Sequence, residues 1–213
     1  MDNQHETLKV KSHVGRDLLQ NAGLFTKDKQ VVWEYVANSL QYVDAGVNPV
    51  VKVSLDTKNK RIAIQDNGRG MDWQGLQNFF FMHGENLDRK QGQAGRGLFG
   101  TGKSAAFGIA DRLRVTTVQN NRRSKVELSR SEIEKYSSGD NIPLTILEKE
   151  TAFVNQNGTL IEIEEIHLKS LNQRDIISFI ERHLARWNRS VKVWVNMHLC
   201  EFSEPSISRT HQF

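Results

Sequence analysis

Two polar residues on one predicted helix could activate water and bind a metal ion. Glu34 and Asn38 are four residues apart, so on a helix their side chains project from the same face, about 5–6 Å apart at Cβ. Neither lies on the apolar stripe of that helix. The carboxylate could take a proton from water, and the amide oxygen could bind Mg²⁺. For an isolated pair, a solvated helix face is the competing interpretation.

A second candidate site reads Asp-Asn-Gly-Arg-Gly-Met over residues 66–71, directly after a predicted strand. Asn-Gly after an alternating strand also indicates a hairpin turn. Because the next residues are helix-like and do not alternate, we favour a binding site over a hairpin. The Asp66 carboxylate could accept a hydrogen bond from an exocyclic amine, and Gly68 and Gly70 would let the backbone approach a flat ring.

A third candidate site is the run of glycines before a predicted helix. Residues 92–104 hold five of the chain's 15 glycines. Their backbone amides could point at phosphate, and the helix N-terminus would add partial positive charge. A flexible surface loop is the alternative, but the immediate start of a helix favours phosphate binding. Since residues 84–102 are polar and too long for a connector, we expect a functional loop there.

The same glycine run contains a match to a different phosphate-binding motif. Residues 97–104 fit the pattern G-x-x-x-x-G-K-S of a P-loop. A P-loop needs a buried strand before its first glycine, whereas residues 85–94 are polar throughout. No later predicted strand ends in an obvious magnesium-binding aspartate. A P-loop NTPase therefore remains the lesser alternative.

The elements that would position these residues follow from hydrophobic periodicity. Apolar residues at three- and four-residue steps predict a helix over residues 30–43, preceded by a shorter helix over 14–24 and an arm over 1–13. Further helices are predicted over residues 71–82, with Asp72 as the cap, 104–110 and 175–187. Strands are predicted over residues 50–55, 61–65, 113–118, 124–128, 144–147, 159–163 and 191–195. This order predicts an α+β fold with helices on one face of a mixed sheet.

The composition indicates an ordinary globular chain. Of its 213 residues 38% are hydrophobic, 25% are charged and three are proline, which excludes collagen-like, disordered and low-complexity classes. The longest apolar run, around residues 79–82, is far shorter than the roughly 20 residues that span a bilayer, and the first 20 residues lack an apolar signal segment. We therefore expect no membrane partner. The single cysteine, Cys200, favours a reducing compartment such as the cytoplasm, or the nucleus in a eukaryote.

The charge distribution leaves nucleic-acid binding open as an alternative. The chain has 29 basic and 25 acidic residues, a net charge of +4, which gives only a slight preference for anionic partners. Its one basic cluster is Arg122, Arg123 and Lys125. A solvated hairpin tip is the competing interpretation of this cluster.

Taken in order, the three candidate sites resemble the GHKL superfamily of ATPases, which includes gyrase, heat-shock chaperones, histidine kinases and MutL. The Glu34-x-x-x-Asn38 helix resembles the first motif of the family, Asp66-x-Gly68-x-Gly70-Met71 the second, and the glycine run the lid end and the third. The stretch Asn-Gly-Thr-Leu-Ile at 157–161 resembles the late strand whose threonine supports the adenine-binding aspartate. The resemblance covers about residues 28–166. It implies a two-layer α/β sandwich of the Bergerat type.

The resemblance also implies a role for each matched residue. Glu34 would be the general base, and Asn38 would bind Mg²⁺. Asp66 would bind the adenine amino group, with Gly68, Gly70 and Met71 beside the ring and Thr159 behind the carboxylate. The phosphates would be held beneath an ATP lid at residues 84–102, by Gly95, Gly97, Leu98, Phe99, Gly100, Thr101, Gly102 and Lys103.

The resemblance further implies what the domain does. The presence of Glu34 resembles the hydrolytic branch (gyrase, chaperones, MutL and MORC), so we expect a slow Mg-ATPase that acts as a conformational or dimerisation switch. A non-enzymatic ATP-dependent interaction module is the alternative. Expected partners are ATP and ADP, a second copy of the chain, and a further domain or protein. Residues 168–213 would form a helix-strand annex, the start of a second domain if the chain is part of a longer protein.

Overall fold

A nine-stranded sheet organises the chain. The computed structural model describes residues 7–11, 19, 22–80, 102–136 and 141–202. The strands are β1 (Thr7–Lys11), β2 (Val50–Asp56), β3 (Arg61–Asp66), β4 (Ala110–Gln119), β5 (Arg122–Ser129), β6 (Asn141–Ala152), β7 (Gly158–Ile166), β8 (Lys192–Val195) and β9 (His198–Leu199). The helices are α1 (Asp28–Gln41), α2 (Trp73–Phe80), α3 (Arg130–Glu134), α4 (Gln173–Leu184) and a 3₁₀ helix, η1 (Gly102–Gly108).

The strands lie in the order β1-β6-β5-β4-β7-β3-β2-β8-β9. Each neighbouring pair is antiparallel except β2 and β8, which are parallel. This confirms the predicted α+β class with a mixed, mostly antiparallel sheet. Strand β8, from the predicted annex, lies in this same sheet, and β1, from the predicted arm, pairs with β6 at its edge.

The helices cover one face of the sheet. The predicted apolar stripe of α1 is buried at Val32, Tyr35, Val36 and Leu40, and this helix packs on β2, β3, η1 and α4. Helix α4 contributes its own buried stripe, and Leu76 and Phe80 bring α2 into the same core. The result is a helix layer on a sheet layer. Among the described residues, no helix is long and apolar enough to cross a bilayer.

The other face of the sheet carries charged side chains at its centre. Strand β4 buries Leu113 and Val115 and turns Arg114 to the opposite face. The Arg114 guanidinium contacts Glu127 of β5 at 2.7 Å and Glu164 of β7 at 3.2 Å. Similar ion pairs join neighbouring strands, among them Arg61 with Glu164 at 3.4 Å. These partly buried ion pairs keep the open face of the sheet polar.

The element boundaries differ from the predictions by a few residues. The helix predicted over 71–82 begins at Trp73, and Asp72 caps it as predicted, because its Oδ1 accepts the Gly75 amide at 2.7 Å. The helix predicted over 104–110 is wrong at its end, since η1 ends at Gly108 and Ala110 already belongs to β4. The short elements α3 and β9 and the strand β1 were not predicted. The helix predicted over 14–24 lies largely outside the described residues.

Candidate functional site

The Asp66 carboxylate, at the end of β3, is held by three separate parts of the chain. Its Oδ2 accepts the Ser39 hydroxyl of α1 at 2.8 Å, and its Oδ1 accepts the amides of Gly68 at 3.0 Å and Thr159 at 2.8 Å. Burial raises the pKa of Asp66, and these three hydrogen bonds oppose that rise. A carboxylate offers about four lone-pair sites. Three are used by the protein, so about one remains for a donor on a ligand.

The segment after Asp66 lies close against two neighbouring elements. A Cβ on Gly68 would stand 2.6 Å from the carbonyl oxygen of Tyr42, at the end of α1. Gly70 has a φ of +68°, and a Cβ there would stand 2.0 Å from the carbonyl oxygen of Val118 in β4. The Met71 amide donates to the buried Thr117 hydroxyl at 2.7 Å. Both glycines therefore allow a close backbone approach that another residue would prevent.

Glu34 and Asn38 share one face of α1, and each directly precedes a residue that anchors the helix. Tyr35 is buried and its hydroxyl hydrogen-bonds to the backbone of Ala106 in η1. Ser39 donates to Asp66. Glu34 and Asn38 therefore lie on the part of α1 that is anchored to η1 through Tyr35 and to Asp66 through Ser39. Burial raises the pKa of Glu34, which makes this carboxylate a better proton acceptor than an exposed glutamate.

The glycine run leads into η1, which is fixed in the core. Ser104, Ala105, Ala106 and Phe107 are all buried. The carbonyl oxygen of Phe107 accepts a hydrogen bond from the Arg130 guanidinium. Gly102 and Lys103 form the first two positions of η1. The other predicted phosphate-binding residues, Gly95, Gly97, Leu98, Phe99, Gly100 and Thr101, lie outside the described residues, as does the predicted lid before Gly102.

The metal chemistry of the site rests on few protein ligands. Among the described residues, no group of three or more His, Cys, Asp or Glu side chains could hold a metal ion. Magnesium in nucleotide sites is commonly bound by one or two protein groups together with substrate phosphates. The Asn38 amide, four residues from Glu34 on α1, fits that mode and could supply an oxygen ligand.

Three residues that position the site were not predicted. Ser39 lies within the apolar stripe of α1, and a polar residue in a buried stripe is the signal that could have identified it. Thr117 is likewise a polar residue at a buried position, here in the alternating pattern of β4. The Asn67 side chain accepts the Val50 amide at 2.7 Å and donates to the Asn48 carbonyl at 3.0 Å, tying the end of β3 to the start of β2.

Comparison with known proteins agrees with this geometry. The family model described as histidine kinase-, DNA gyrase B- and HSP90-like ATPase matches residues 26–159, more than half of the chain, and this range includes Glu34, Asn38, Asp66 and Thr159. A DNA topoisomerase 4 subunit of Mycoplasma genitalium is 33% identical over 100 residues, which are 42% of this chain and 16% of that protein. The chain thus matches a small part of that relative.

Proposed function

Because the chain belongs to the family of histidine kinase-, DNA gyrase B- and HSP90-like (GHKL) ATPases, we propose that it binds Mg-ATP and hydrolyses it slowly as a nucleotide-driven switch. Domains of this family bind ATP. The proposal assigns adenine to Asp66, the metal to Asn38, water activation to Glu34 and the phosphates to the glycine run at 95–103. We also propose a cytoplasmic location.

The observation that carries this proposal is the hydrogen-bonding state of Asp66. Three protein donors fix the carboxylate and leave it about one acceptor site. An exocyclic amine is a donor and fits that site, whereas a carbonyl oxygen in the same place would face a carboxylate oxygen. The Asp66 site should therefore select adenine over guanine.

The arrangement of α1 supports hydrolysis. ATP with Mg²⁺ supplies an electrophilic terminal phosphate whose charge the metal partly neutralises. Glu34 would accept a proton from water near that phosphate, and its raised pKa favours this role. Asn38 would supply an amide oxygen to the metal. Turnover would be slow if a lid at 84–102 must order before each reaction, because ordering would then limit the rate.

A non-enzymatic interaction module is the alternative, in which binding alone drives assembly with a second copy or another protein. The switch proposal predicts that a non-hydrolysable ATP analogue slows hydrogen exchange across residues 84–102 more than ADP does. Equal protection with both nucleotides would leave ATP binding intact and remove the switch.

The adenine assignment is tested by Asp66→Asn. The asparagine Oδ1 can still accept from Gly68 and Thr159, and its amide can donate to Ser39, so the fold should survive. The new NH₂ group cannot accept the adenine amine, so a charge-assisted hydrogen bond of about 1.5–3 kcal/mol is lost and ATP should bind at least tenfold more weakly. Calorimetry with ATP and GTP measures this. The control is Asp56→Asn, because Asp56 lies at the turn end of the β2–β3 hairpin, at the opposite end from Asp66.

The two parts of the proposal fail in different ways. Equal affinity of the parent protein for ATP and GTP would refute the adenine site. The hydrolytic part is tested by Glu34→Gln, which should leave ATP affinity within a few-fold and reduce phosphate release about a hundredfold or more. Phosphate release that is undetectable in the parent protein, with ATP binding intact, would favour the interaction module.

A further inference from the structure

A groove of about 480 Å³ lies on the sheet face opposite the helices. Strand β2 buries Val51 and Val53 beneath α1 and presents Lys52 to the groove. Strand β4 likewise buries Thr117 and presents Thr116. The groove therefore lies on the sheet face opposite α1, and it reaches the end of β3 and the start of β7, where Asp66 and Thr159 of the proposed adenine site are among its lining residues. Its volume is typical of a site for a small ligand or for one or two units of a polymer.

The groove differs in charge from the ion-pair network beside it. Asp66 is the one carboxylate among its lining residues, and Ser39, Gly68 and Thr159 already use three of its about four acceptor sites. Lys52 has no carboxylate within 4 Å among the described residues, whereas Arg61 and Arg114 in the adjacent network are each paired. Of the two basic lining residues, Arg123 is paired with Glu148, whereas Lys52 keeps an ammonium group that an anionic ligand could contact.

The strand register places a second lysine, Lys125, in the same row as Lys52, beyond the residues that line the groove. Lys52 is opposite Gln65, Gln65 is opposite Leu160, Leu160 is opposite Thr116, and Thr116 is opposite Lys125. The two lysines thus end one row across five strands, about 19 Å apart at four strand spacings of ~4.8 Å. Lys125 also has no carboxylate within 4 Å in the part of the chain that the structure describes. An extended polyanion could contact both.

Arg123 and Phe153, which lie against each other, form a platform among the residues that line the groove. The Arg123 guanidinium carbon lies 4.1 Å from the centre of the Phe153 ring. The Arg123 Nε donates to Glu148 at 2.7 Å, which orients the guanidinium, and the Phe153 amide donates to the Asn121 carbonyl at 2.9 Å, which fixes the backbone that carries the ring. Planar aromatic and guanidinium groups are the surfaces on which unstacked nucleobases bind.

Amide side chains also line the groove. Gln65, Asn155, Gln156 and Asn157 each carry both a donor and an acceptor. Groups of this kind can pair with the hydrogen-bonding edge of any base. An acidic peptide would use the lysines but would have no use for the stacking platform, so the combination favours nucleic acid.

We propose that this groove binds single-stranded nucleic acid, with a base on the Phe153–Arg123 platform and the backbone phosphates along the row from Lys52 to Lys125. A duplex is excluded from this mode because its bases are stacked inside the helix and cannot reach the platform. The proposal requires no nucleotide in the ATP site, so its failure would leave the proposed function untouched.

The test is fluorescence anisotropy with labelled 12-nucleotide oligothymidylate and oligouridylate, titrated without ATP at several salt concentrations. Phe153→Ala should weaken binding about tenfold, which is ~1.4 kcal/mol, and Phe153→Trp should retain it. Lys52→Ala and Lys125→Ala should each reduce the slope of log affinity against log salt by about 0.7. Lys58→Ala, in the turn at the far end of the β2–β3 hairpin, is the matched control and should change neither quantity.

Three results with nucleic acid would overturn the proposal. The first is an oligonucleotide affinity that Phe153→Ala leaves unchanged. The second is a loss of affinity in Lys58→Ala as large as that in Lys52→Ala. The third is duplex DNA that binds as tightly as the single strand. An oligoglutamate peptide that binds as tightly as the oligonucleotides and is unaffected by Phe153→Ala would also overturn it, in favour of an acidic protein partner. Because the lysine variants alter exposed surface, they remain informative even if a Phe153 variant unfolds.

Discussion

Gly70 and Gly46 form a natural pair for measuring how closely the Asp66 segment must pack. Both have left-handed backbone angles, with φ of +68° at Gly70 and +82° at Gly46. A Cβ at Gly46 would meet nothing within 4 Å, whereas one at Gly70 would meet the Val118 carbonyl oxygen at 2.0 Å. Alanine at either position carries the same conformational penalty. Only at Gly70 does it also collide with β4.

The difference between the two variants can be estimated from these contacts. A left-handed alanine costs about 1–2 kcal/mol at each position. At Gly70 the segment must also move away from β4, and this movement breaks the hydrogen bond from the Met71 amide to Thr117. A buried polar group left without its partner costs about 1–3 kcal/mol. Gly70→Ala should therefore lower the free energy of unfolding by about 2–5 kcal/mol, against about 1–2 for Gly46→Ala.

Urea unfolding followed by circular dichroism measures both free energies, and calorimetry measures ATP affinity where the variants remain folded. Gly70→Ala should also weaken ATP at least tenfold, because Met71 would shift relative to Asp66, whereas Gly46→Ala should bind normally. Equal destabilisation by the two substitutions would refute the reasoning, since the contact with Val118 would then have no energetic consequence.

Two further predictions concern the same site. Thr117→Val leaves the Met71 amide without its acceptor and should destabilise the fold by about 1–3 kcal/mol. Thr117→Ser keeps the hydroxyl and should cost about 0.8 kcal/mol for the lost methyl group, as measured by urea unfolding. Because burial raises the pKa of Asp66 above 3.8, its carboxylate becomes protonated earlier as the pH falls, and ATP affinity should decrease through that raised pKa. Calorimetry as a function of pH should show no such decrease in Asp66→Asn.

Local sequence patterns were sufficient for the elements that carry the site. The stripe of Val32, Tyr35, Val36 and Leu40 fixed the buried face of α1, and alternation at Ile62 and Ile64 predicted the strand that ends at Asp66. Helix α3 was missed although its signal was present. Ser129 and Glu132 have the spacing of a capping box, and the Ser129 hydroxyl does accept the Glu132 amide at 3.3 Å.

Contacts between distant parts of the chain had no such signal. The hydrogen bond from Ser39 to Asp66 joins residues 27 apart, and that from Thr159 joins residues 93 apart. Strand β1 pairs with β6, more than a hundred residues away, so nothing near residues 7–11 could indicate its partner. These interactions form only when the sheet assembles, which is why single-sequence periodicity locates Asp66 but not the groups that hold it.

The way in which Asp66 is held also limits what it can sense. Its three protein hydrogen bonds come from α1, from the Gly68 turn and from β7, and together they orient the carboxylate before any ligand arrives. A preorganised acceptor binds adenine without reorganisation, and adenine is identical in ATP and ADP. If Asp66 binds adenine as we propose, it therefore provides affinity for both nucleotides but no discrimination between them. If the domain acts as a switch, the discrimination must arise at the phosphates, which the proposal assigns to the glycine run that precedes η1.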